Sequence, residues 1–283
     1  MIYFPIIAAL ALAGGTVFER EILKKRSITI KQYQTLGFFA IAIVLLPTLY
    51  FFWKMDSEAL QLTNILIFLA VVIFSVIANL FTYYSMKGEK VSNLEPAKML
   101  EPLFTILLVL VFSLFIRGVY DDNSKVLIPA LIAGVTLILT HVKKEHLNFN
   151  KFFLAAIIGS LFFGLEVVTS LLILRFYTPI TFYFLRCSAI FIVSLVIFHP
   201  KVSKINNKLK INIMIIGVIW VIYRIVAYYG YLRIGIISTT LILMLGTVLT
   251  YLFANIFLKE KINIRNIIAS IVILACILYT VFA

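Results

Sequence analysis

The chain has 283 residues, of which 63% are apolar and 13% are charged, and its mean hydropathy is +1.10. Globular domains contain about 45 to 50% apolar residues, so this composition excludes a water-soluble protein. The formal net charge of +13 in so apolar a chain indicates basic loops at a membrane surface rather than a nucleic-acid partner. Cys187 and Cys276 lie in apolar stretches without metal-ligand spacing, and we predict no metal site and no cofactor.

Ten apolar stretches follow one another along the chain, each close to the length of about 20 residues that a membrane-spanning helix needs. Spanning strands need only about ten alternating residues, so we predict an all-α integral membrane protein of about ten helices. The first stretch has no basic start, which favours a helix over a signal peptide. The predicted spans are residues 2–19, 33–53, 64–86, 95–116, 126–142, 152–174, 180–198, 211–232, 236–257 and 264–282.

Basic residues divide unevenly between the connections of the predicted helices. Cytoplasmic loops carry an excess of lysine and arginine, so the connections after odd-numbered helices are predicted to be cytoplasmic, and both termini to lie outside the plasma membrane. Those connections hold 16 basic residues: Lys24, Lys25, Arg26, Lys31, Lys87, Lys90, Lys143, Lys144, Lys151, Lys201, Lys204, Lys208, Lys210, Lys259, Lys261 and Arg265. The even-numbered connections hold 5: Lys54, Arg117, Lys125, Arg175 and Arg233.

Two blocks of five helices are predicted to form an inverted repeat. Tyr83 and Tyr228 lie 145 residues apart, as do Thr105 and Thr250. Because five is odd, two like blocks must face opposite ways across the membrane, and the basic residues reverse as this requires. The first connection holds four basic residues in the first block and one in the second block. The second connection holds one basic residue in the first block and four in the second block. The blocks are residues 1–145 and 146–283.

Short motifs at matching places in the two blocks point to a known family. The first block has Tyr83-Tyr84, Ser92-Asn93-Leu94-Glu95-Pro96 and Leu100-Glu101-Pro102, and the second has Tyr228 to Arg233, Ser238-Thr239-Thr240 and Phe257-Leu258-Lys259-Glu260-Lys261. With ten short helices as five plus five, the chain resembles the EamA-type transporters of the drug/metabolite transporter superfamily over essentially its whole length. It departs from their pattern at Phe115-Ile116-Arg117-Gly118, where the family usually has an acidic residue after the helix.

The resemblance implies a central cavity lined by the first four helices of each block, with the fifth helices as a scaffold. It implies no particular substrate, since the family carries amino acids, sugars, nucleotide sugars, amines and drugs. The sequence has no Gly-x-x-x-x-Gly-Lys phosphate loop, which argues against pumping driven by ATP. We therefore expect a secondary transporter that works by alternating access.

Charged residues inside the predicted helices are the candidates for substrate binding or coupling. An ionisable group at the centre of a membrane helix costs about 2.5 to 3.5 kcal/mol, and Glu166, Arg186 and Arg224 lie near the midplane. Trp220, Arg224 and Tyr228 share one helix face, and a guanidinium between aromatic rings suits a carboxylate or phosphate. Two arginines against one glutamate predict an anionic or zwitterionic metabolite, with Glu166 binding an amine or carrying a proton. The alternative is a buried structural ion pair.

The first block offers further polar candidates. Asn79 and Tyr83 belong to a stripe on the third helix that faces either the cavity or a neighbouring helix. Glu101 lies near Glu95 and Lys98 at the start of the fourth helix, where it acts as a gate or a proton relay, or simply pairs locally. These residues complete the set of candidate substrate-binding or coupling residues.

Two other features are predicted to be structural. Glu19, Arg20 and Glu21 close the first helix, where charged side chains reach from a helix end to the membrane interface. The spacings Ala155-x-x-x-Gly159 and Ser160-x-x-x-Gly164 on the sixth helix predict close-packing faces.

We predict that the chain is a transporter and not an enzyme, with a small-molecule substrate and the lipid bilayer as partners, no nucleic acid, and a monomer or homodimer as the assembly. The alternative is a flippase or membrane-embedded enzyme for a polyprenyl-phosphate or other lipid-linked substrate, whose phosphate Arg186 and Arg224 would hold. No acidic metal cluster, Ser/His pair or Cys/His pair is evident in the sequence. A structural or signalling membrane protein would have a dry, packed midplane around Arg224.

Overall fold

The computed structural model describes residues 3–25, 27–89, 94, 97–98, 100–116, 124–141, 150–201, 205–258 and 264–282. Within these residues there are ten α-helices and one short 3-10 helix, Ser57–Leu60. The α-helices are α1 (Tyr3–Leu23), α2 (Ile30–Phe52), α3 (Leu62–Gly88), α4 (Leu100–Phe115), α5 (Ser124–His141), α6 (Lys151–Leu174), α7 (Pro179–Phe198), α8 (Asn207–Ile234), α9 (Ile236–Leu258) and α10 (Ile264–Phe282). Each predicted apolar stretch coincides with one helix, so the predicted helix positions are confirmed.

Six helices are long and apolar enough to cross a membrane by length and composition, namely α2, α3, α6, α7, α8 and α9. Shorter apolar helices run over Leu100–Phe115 and Leu127–Thr136. The chain is therefore an all-helical, multi-pass membrane protein. That all ten helices span the bilayer stays a prediction.

Polar side chains at the helix starts determine where several helices begin. Thr29 and Gln32 form a capping box at α2, in which Thr29 Oγ1 accepts from Gln32 N at 3.2 Å and Gln32 Oε1 accepts from Thr29 N at 2.9 Å. Thr178 caps α7, and Pro179 follows as its first residue, where a missing N–H costs nothing. The single residue between α8 and α9 is Gly235, with φ 83°, a conformation that a side chain would strain.

The helices of the two blocks pack against each other in matching pairs. The contact between α3 and α6 corresponds to the contact between α8 and α1. In the same way, the contact between α4 and α6 corresponds to the contact between α9 and α1. The pairs α2 with α7 and α5 with α10 are also present. Exchanging the first five helices with the last five leaves this set of pairs unchanged. The main packing of the bundle is thus between the blocks rather than within them.

Glycines allow α6 to approach two helices of the other block closely. A Cβ at Gly159 would lie 2.6 Å from Thr82 Oγ1 of α3. A Cβ at Gly164 would lie 3.2 Å from Phe104 Cβ and 3.2 Å from Thr105 N of α4. The predicted close-packing faces of α6 are confirmed.

Connections from the two blocks are bonded to each other at both ends of the bundle. Where α2 ends and α7 begins, Asp56 N donates to Phe176 O at 2.9 Å, and Thr178 N donates to Lys54 O at 3.2 Å. At the opposite end, where α2 begins and α7 has ended, Gln32 Nε2 donates to the carbonyl oxygen of Lys201 at 2.9 Å. These contacts tie the blocks together above and below the space between them.

Candidate functional site

Two neighbouring cavities lie between the blocks, one with about 650 Å³ and the other with about 610 Å³ of space not filled by atoms. Residues of α1 to α4 and of α6 to α9 form their walls. No described residue of α5 or α10 lines either cavity, and these two helices pack on each other. The cavity expected from the first four helices of each block is thus confirmed. Both cavities are lined by Leu12, Thr16, Lys98, Glu101 and Tyr223.

Three buried charged side chains meet at the wall of the larger cavity. Arg186 Nη1 of α7 donates a hydrogen bond to Glu166 Oε1 of α6, and Arg224 Nη2 of α8 lies 3.2 Å from Glu166 Oε2, at ion-pair distance. The exposed fraction is 0% for Glu166, 3% for Arg186 and 5% for Arg224. One carboxylate therefore faces two guanidinium groups, and this group of three carries one positive charge in excess.

Hydroxyl groups complete the surroundings of Glu166. Arg186 Nη1 donates to the Tyr228 hydroxyl at 2.6 Å, and that hydroxyl donates to Glu166 Oε1 at 3.3 Å. Ser170 Oγ lies 3.1 Å from the same carboxylate oxygen. Arg186 and Arg224 line the larger cavity, whereas Glu166 and Tyr228 lie behind them. The predicted buried ion pair is present, and the Glu166 carboxylate faces the arginines rather than the cavity.

Aromatic rings surround the two guanidinium groups, and Tyr228 at Arg224 is the one that the helix spacing predicted. Arg186 Cζ lies 5.0 Å from the Tyr183 ring centroid, and Arg224 Cζ lies 5.4 Å from that of Tyr223. Both guanidinium groups lie 5.8 Å from the Tyr228 ring. Arg224 Nη1 and Arg186 Nε are buried, and neither has a hydrogen-bond partner among the described residues. Each arginine thus keeps one N–H donor that its described neighbours do not use.

The remaining candidates from the sequence also lie at the larger cavity. Asn79 and Tyr83 of α3, Glu101 of α4 and Trp220 of α8 all line it. The polar stripe of α3 therefore faces the cavity, although the Asn79 amide also donates to the backbone of its own helix at 2.7 Å. Glu95 lies outside the described residues. Six of the eight candidates line the cavity, and the other two hold the arginines.

The structure corrects the interface position predicted for Glu19. α1 continues to Leu23, and Glu19 is only 3% exposed and lines the larger cavity. The Tyr33 hydroxyl of α2 donates to Glu19 Oε1 at 2.8 Å. Glu21, in contrast, is partly exposed and pairs with Lys24 of the same helix. The three charged residues at the end of α1 are therefore not equivalent.

A sequence signal for Glu19 exists, but it is weak. Leu12, Thr16 and Glu19 follow the spacing i, i+4, i+7 of a single helix face, and all three line the larger cavity. Because Glu19 is followed directly by Arg20 and Glu21, hydropathy alone places it at the interface. Lys98 and Trp220, which come from outside α1, line the same cavity, and only the fold brings them together with Glu19.

A bundle of apolar helices with a polar cavity between its two halves is typical of multi-pass membrane transporters. Residues 150–282 match the model of the EamA-like transporter family, which confirms for the second block the resemblance to the EamA-type members of the drug/metabolite transporter superfamily. A solved crystal structure of another protein is similar in fold, with 15% sequence identity and a TM-score of 0.70, over 99% of this chain and 98% of that chain. The comparison with curated proteins gives no match.

Proposed function

We propose that this transporter moves a small anionic or zwitterionic metabolite, and that Arg186 and Arg224 bind its acidic group. The observation that carries the proposal is the pair of arginines on the cavity wall, each with a buried N–H donor that no described residue accepts. A guanidinium presents parallel N–H donors that match the two oxygens of a carboxylate or phosphate. Such a group is therefore the natural ligand of this wall.

The charge of the group formed by Glu166, Arg186 and Arg224 favours the same conclusion. One carboxylate neutralises one guanidinium, so a second arginine adds a buried charge that the described residues of this group do not balance. An unbalanced charge in a membrane protein costs several kcal/mol. A purely structural ion pair would need only one arginine. An anionic ligand in the cavity would supply the missing charge.

The packing of the two blocks supports alternating access by an inverted repeat of residues 1–145 and 146–283. The cavity lies at the interface of the blocks, where transporters of this design place their sites. The contacts at the two ends correspond to each other when the blocks are exchanged. Lys54 and Asp56 of the first block contact residues 176–178 of the second, and Lys201 of the second block contacts Gln32 of the first. Opening the cavity on one side would break one of these contacts and keep the other. The excess of basic residues assigns the end with Gln32 to the cytoplasm and the termini to the outside of the plasma membrane.

The test is a ligand screen on purified protein followed by uptake into proteoliposomes. Organic acids, amino acids, nucleotides and sugars are first compared by thermal shift, since a ligand at 100 times its Kd adds about 2.7 kcal/mol to the folded state. We expect acidic ligands to stabilise the protein, and Arg224→Gln to weaken their binding and uptake at least tenfold. Arg175→Gln is the matched control, because Arg175 is exposed at the end of α6 and lies outside the lining.

Two outcomes would contradict the proposal. Full uptake by both Arg186→Gln and Arg224→Gln would leave the arginines with a structural role only. Translocation of a lipid-linked sugar, without uptake of any water-soluble acid, would instead support a flippase whose substrate phosphate binds the same arginines.

A further inference from the structure

We propose that the end of the bundle where α2 begins and α7 ends binds the headgroup of an anionic phospholipid, between Lys31 of the first block and Lys201 of the second. A contact between the blocks brings the two lysines to the same place. The helix surface that continues from this place is apolar and exposed. The inference does not depend on which substrate the transporter carries.

Contacts across the boundary of the blocks position the two lysines. The Nε2 atom of Gln32, which follows Lys31 directly, donates to the backbone oxygen of Lys201 at 2.9 Å. α7 ends at Phe198, and His199 follows with φ 41°, a left-handed conformation that turns the chain after the helix. Lys31 Nζ lies 5.6 Å from the centroid of the Phe198 ring. Lys31 and Lys201 therefore belong to one contact and not to two unrelated loops.

The positive charge of this contact is not balanced by the described part of the chain. Lys31 and Lys201 are both exposed, and neither forms an ion pair with a described carboxylate. A lysine ammonium binds phosphate as a compact point charge. Near an anionic membrane surface each such group contributes about fivefold in affinity. Two of them at one contact are suited to the phosphate of a lipid headgroup.

An exposed apolar face runs along α7 from the lysines. Phe191, Leu195 and Phe198 follow the spacing i, i+4, i+7 of one helix face, and Leu195 and its neighbour Val196 are exposed. About two turns along the helix from Phe198, the Phe191 ring packs on the exposed Phe39 of α2, with ring centroids 5.1 Å apart. Cationic groups at the helix ends and an apolar face beside them match the headgroup and the acyl chains of a phospholipid. This combination favours a lipid over a soluble phosphate.

The simpler interpretation is a diffuse attraction between every basic residue at this end and an anionic membrane surface. Lys208 and Lys210 at the start of α8 are also exposed, and the proposed topology places them on the same side of the membrane. A diffuse attraction would respond equally to the loss of either pair of lysines. A site at the contact of the blocks responds to only one pair.

The experiment measures the thermal stabilisation of the purified protein in detergent by dioleoyl phosphatidylglycerol, with dioleoyl phosphatidylcholine as the zwitterionic lipid of the same chains. We expect phosphatidylglycerol to stabilise the unaltered protein at the lower concentration. With Lys31→Gln and Lys201→Gln combined, the phosphatidylglycerol concentration for half-maximal stabilisation should rise at least about tenfold. The matched control combines Lys208→Gln with Lys210→Gln and should shift that concentration by less than about twofold.

Two further measurements separate headgroup binding from folding and from a soluble anion. Gln32 binds the backbone of Lys201, so the glutamine variants keep the contact between the blocks. Lys31→Arg combined with Lys201→Arg keeps both charges and should keep the preference for phosphatidylglycerol. Glycerol phosphate has a phosphate without acyl chains and should not stabilise the protein in the concentration range of the lipid.

Each contrary result has a definite meaning. Equal shifts in the two double glutamine variants, or equal stabilisation of the unaltered protein by both lipids, overturn the site. Stabilisation by glycerol phosphate as strong as that by the lipid overturns the lipid as the ligand. Should the variant with Lys31→Gln and Lys201→Gln be too unstable to purify, loss of the lipid preference in the double arginine variant overturns the site instead.

Discussion

Two buried carboxylates occupy similar places in the two blocks of the bundle, and their surroundings differ. Glu19 lies about four turns after the first residue of α1, and Glu166 lies about four turns after the first residue of α6. Each accepts a hydrogen bond from a tyrosine, at 2.8 Å from Tyr33 and at 3.3 Å from Tyr228. Arg186 and Arg224 lie on either side of the Glu166 carboxylate. One carboxylate is thus fixed by two ion pairs behind the cavity wall, and the other lines the cavity itself.

The origin of the difference can be located in the sequence of α3 and α8. Tyr83 and Tyr228 are separated by 145 residues, and so are Asn79 and Arg224. Where the second block has a guanidinium, the first has a neutral amide, and both side chains line the larger cavity. The two positions therefore differ in charge, and both arginines of the cavity wall come from the second block.

Neutralising the two carboxylates should cost very different amounts of stability. Glu166→Gln leaves Arg186 and Arg224 buried without a counter-charge, and we expect it to lower the free energy of unfolding by about 3 to 5 kcal/mol. Glu19→Gln keeps an acceptor for the Tyr33 hydroxyl and should cost about 1 kcal/mol. Thermal and denaturant unfolding of the purified proteins in one detergent measures both values.

Glu166→Asp is the control for this comparison, because it keeps the charge and shortens the side chain. It should be more stable than Glu166→Gln. Equal losses in Glu166→Gln and Glu19→Gln would show that the arginines do not depend on Glu166, and the contrast between the blocks would be lost.

The two helix contacts related by exchange of the blocks should also respond differently to a methyl group. Gly159→Ala in the α3–α6 contact places a Cβ 2.6 Å from Thr82 Oγ1, and we expect a loss of about 1 to 3 kcal/mol. Gly15→Ala in the α1–α8 contact meets Ile219 Cγ2 at 3.3 Å, a side-chain atom that can shift, and should cost less. Gly37→Ala is the control, since no heavy atom lies within 4 Å of its added Cβ. A loss in Gly37→Ala as large as that in Gly159→Ala would contradict the assignment of the effect to packing.

Hydropathy predicted the helices because apolar runs near 20 residues have few other interpretations in a chain of this composition. Its errors lie at helix ends. The prediction ended α1 at residue 19, but the helix continues to Leu23. Glu19 is buried against other helices, so it does not mark the end of the helix at a membrane surface. α8 begins at Asn207, before the predicted residue 211, since the Asn206 side chain caps it by accepting from Lys208 N. Neither contact with a distant helix nor a polar cap registers in a hydropathy profile.

The three charged residues of the site could be predicted from the cost of charge in a membrane rather than from hydropathy. Glu166, Arg186 and Arg224 were found because intramembrane charge is costly and therefore rare. Their spacing could not show that one carboxylate serves both arginines, because that depends on how α6, α7 and α8 meet. Glu19 was assigned to the interface because its hydrogen-bond partner Tyr33 belongs to another helix, which the sequence of α1 does not show. Only tertiary packing separates a residue at the membrane surface from one in the cavity.

The smallest effect expected is the difference between the two tyrosines that bond the carboxylates. Tyr228→Phe removes a hydroxyl from Glu166, but that carboxylate keeps Arg186 and Ser170, so we expect a loss of about 1 kcal/mol. Tyr33→Phe removes the hydroxyl that donates to the buried Glu19 carboxyl, and leaving a buried polar group without its partner costs about 1 to 3 kcal/mol. Both rings remain in place, so a difference in the free energies of unfolding reports on the hydroxyls alone. The reverse order, with Tyr228→Phe the more damaging, would mean that the Tyr228 hydroxyl supports Arg186 more than it supports Glu166. The stability of the second block would then depend on the hydrogen-bonded chain of Tyr228, Arg186 and Glu166 rather than on its ion pairs.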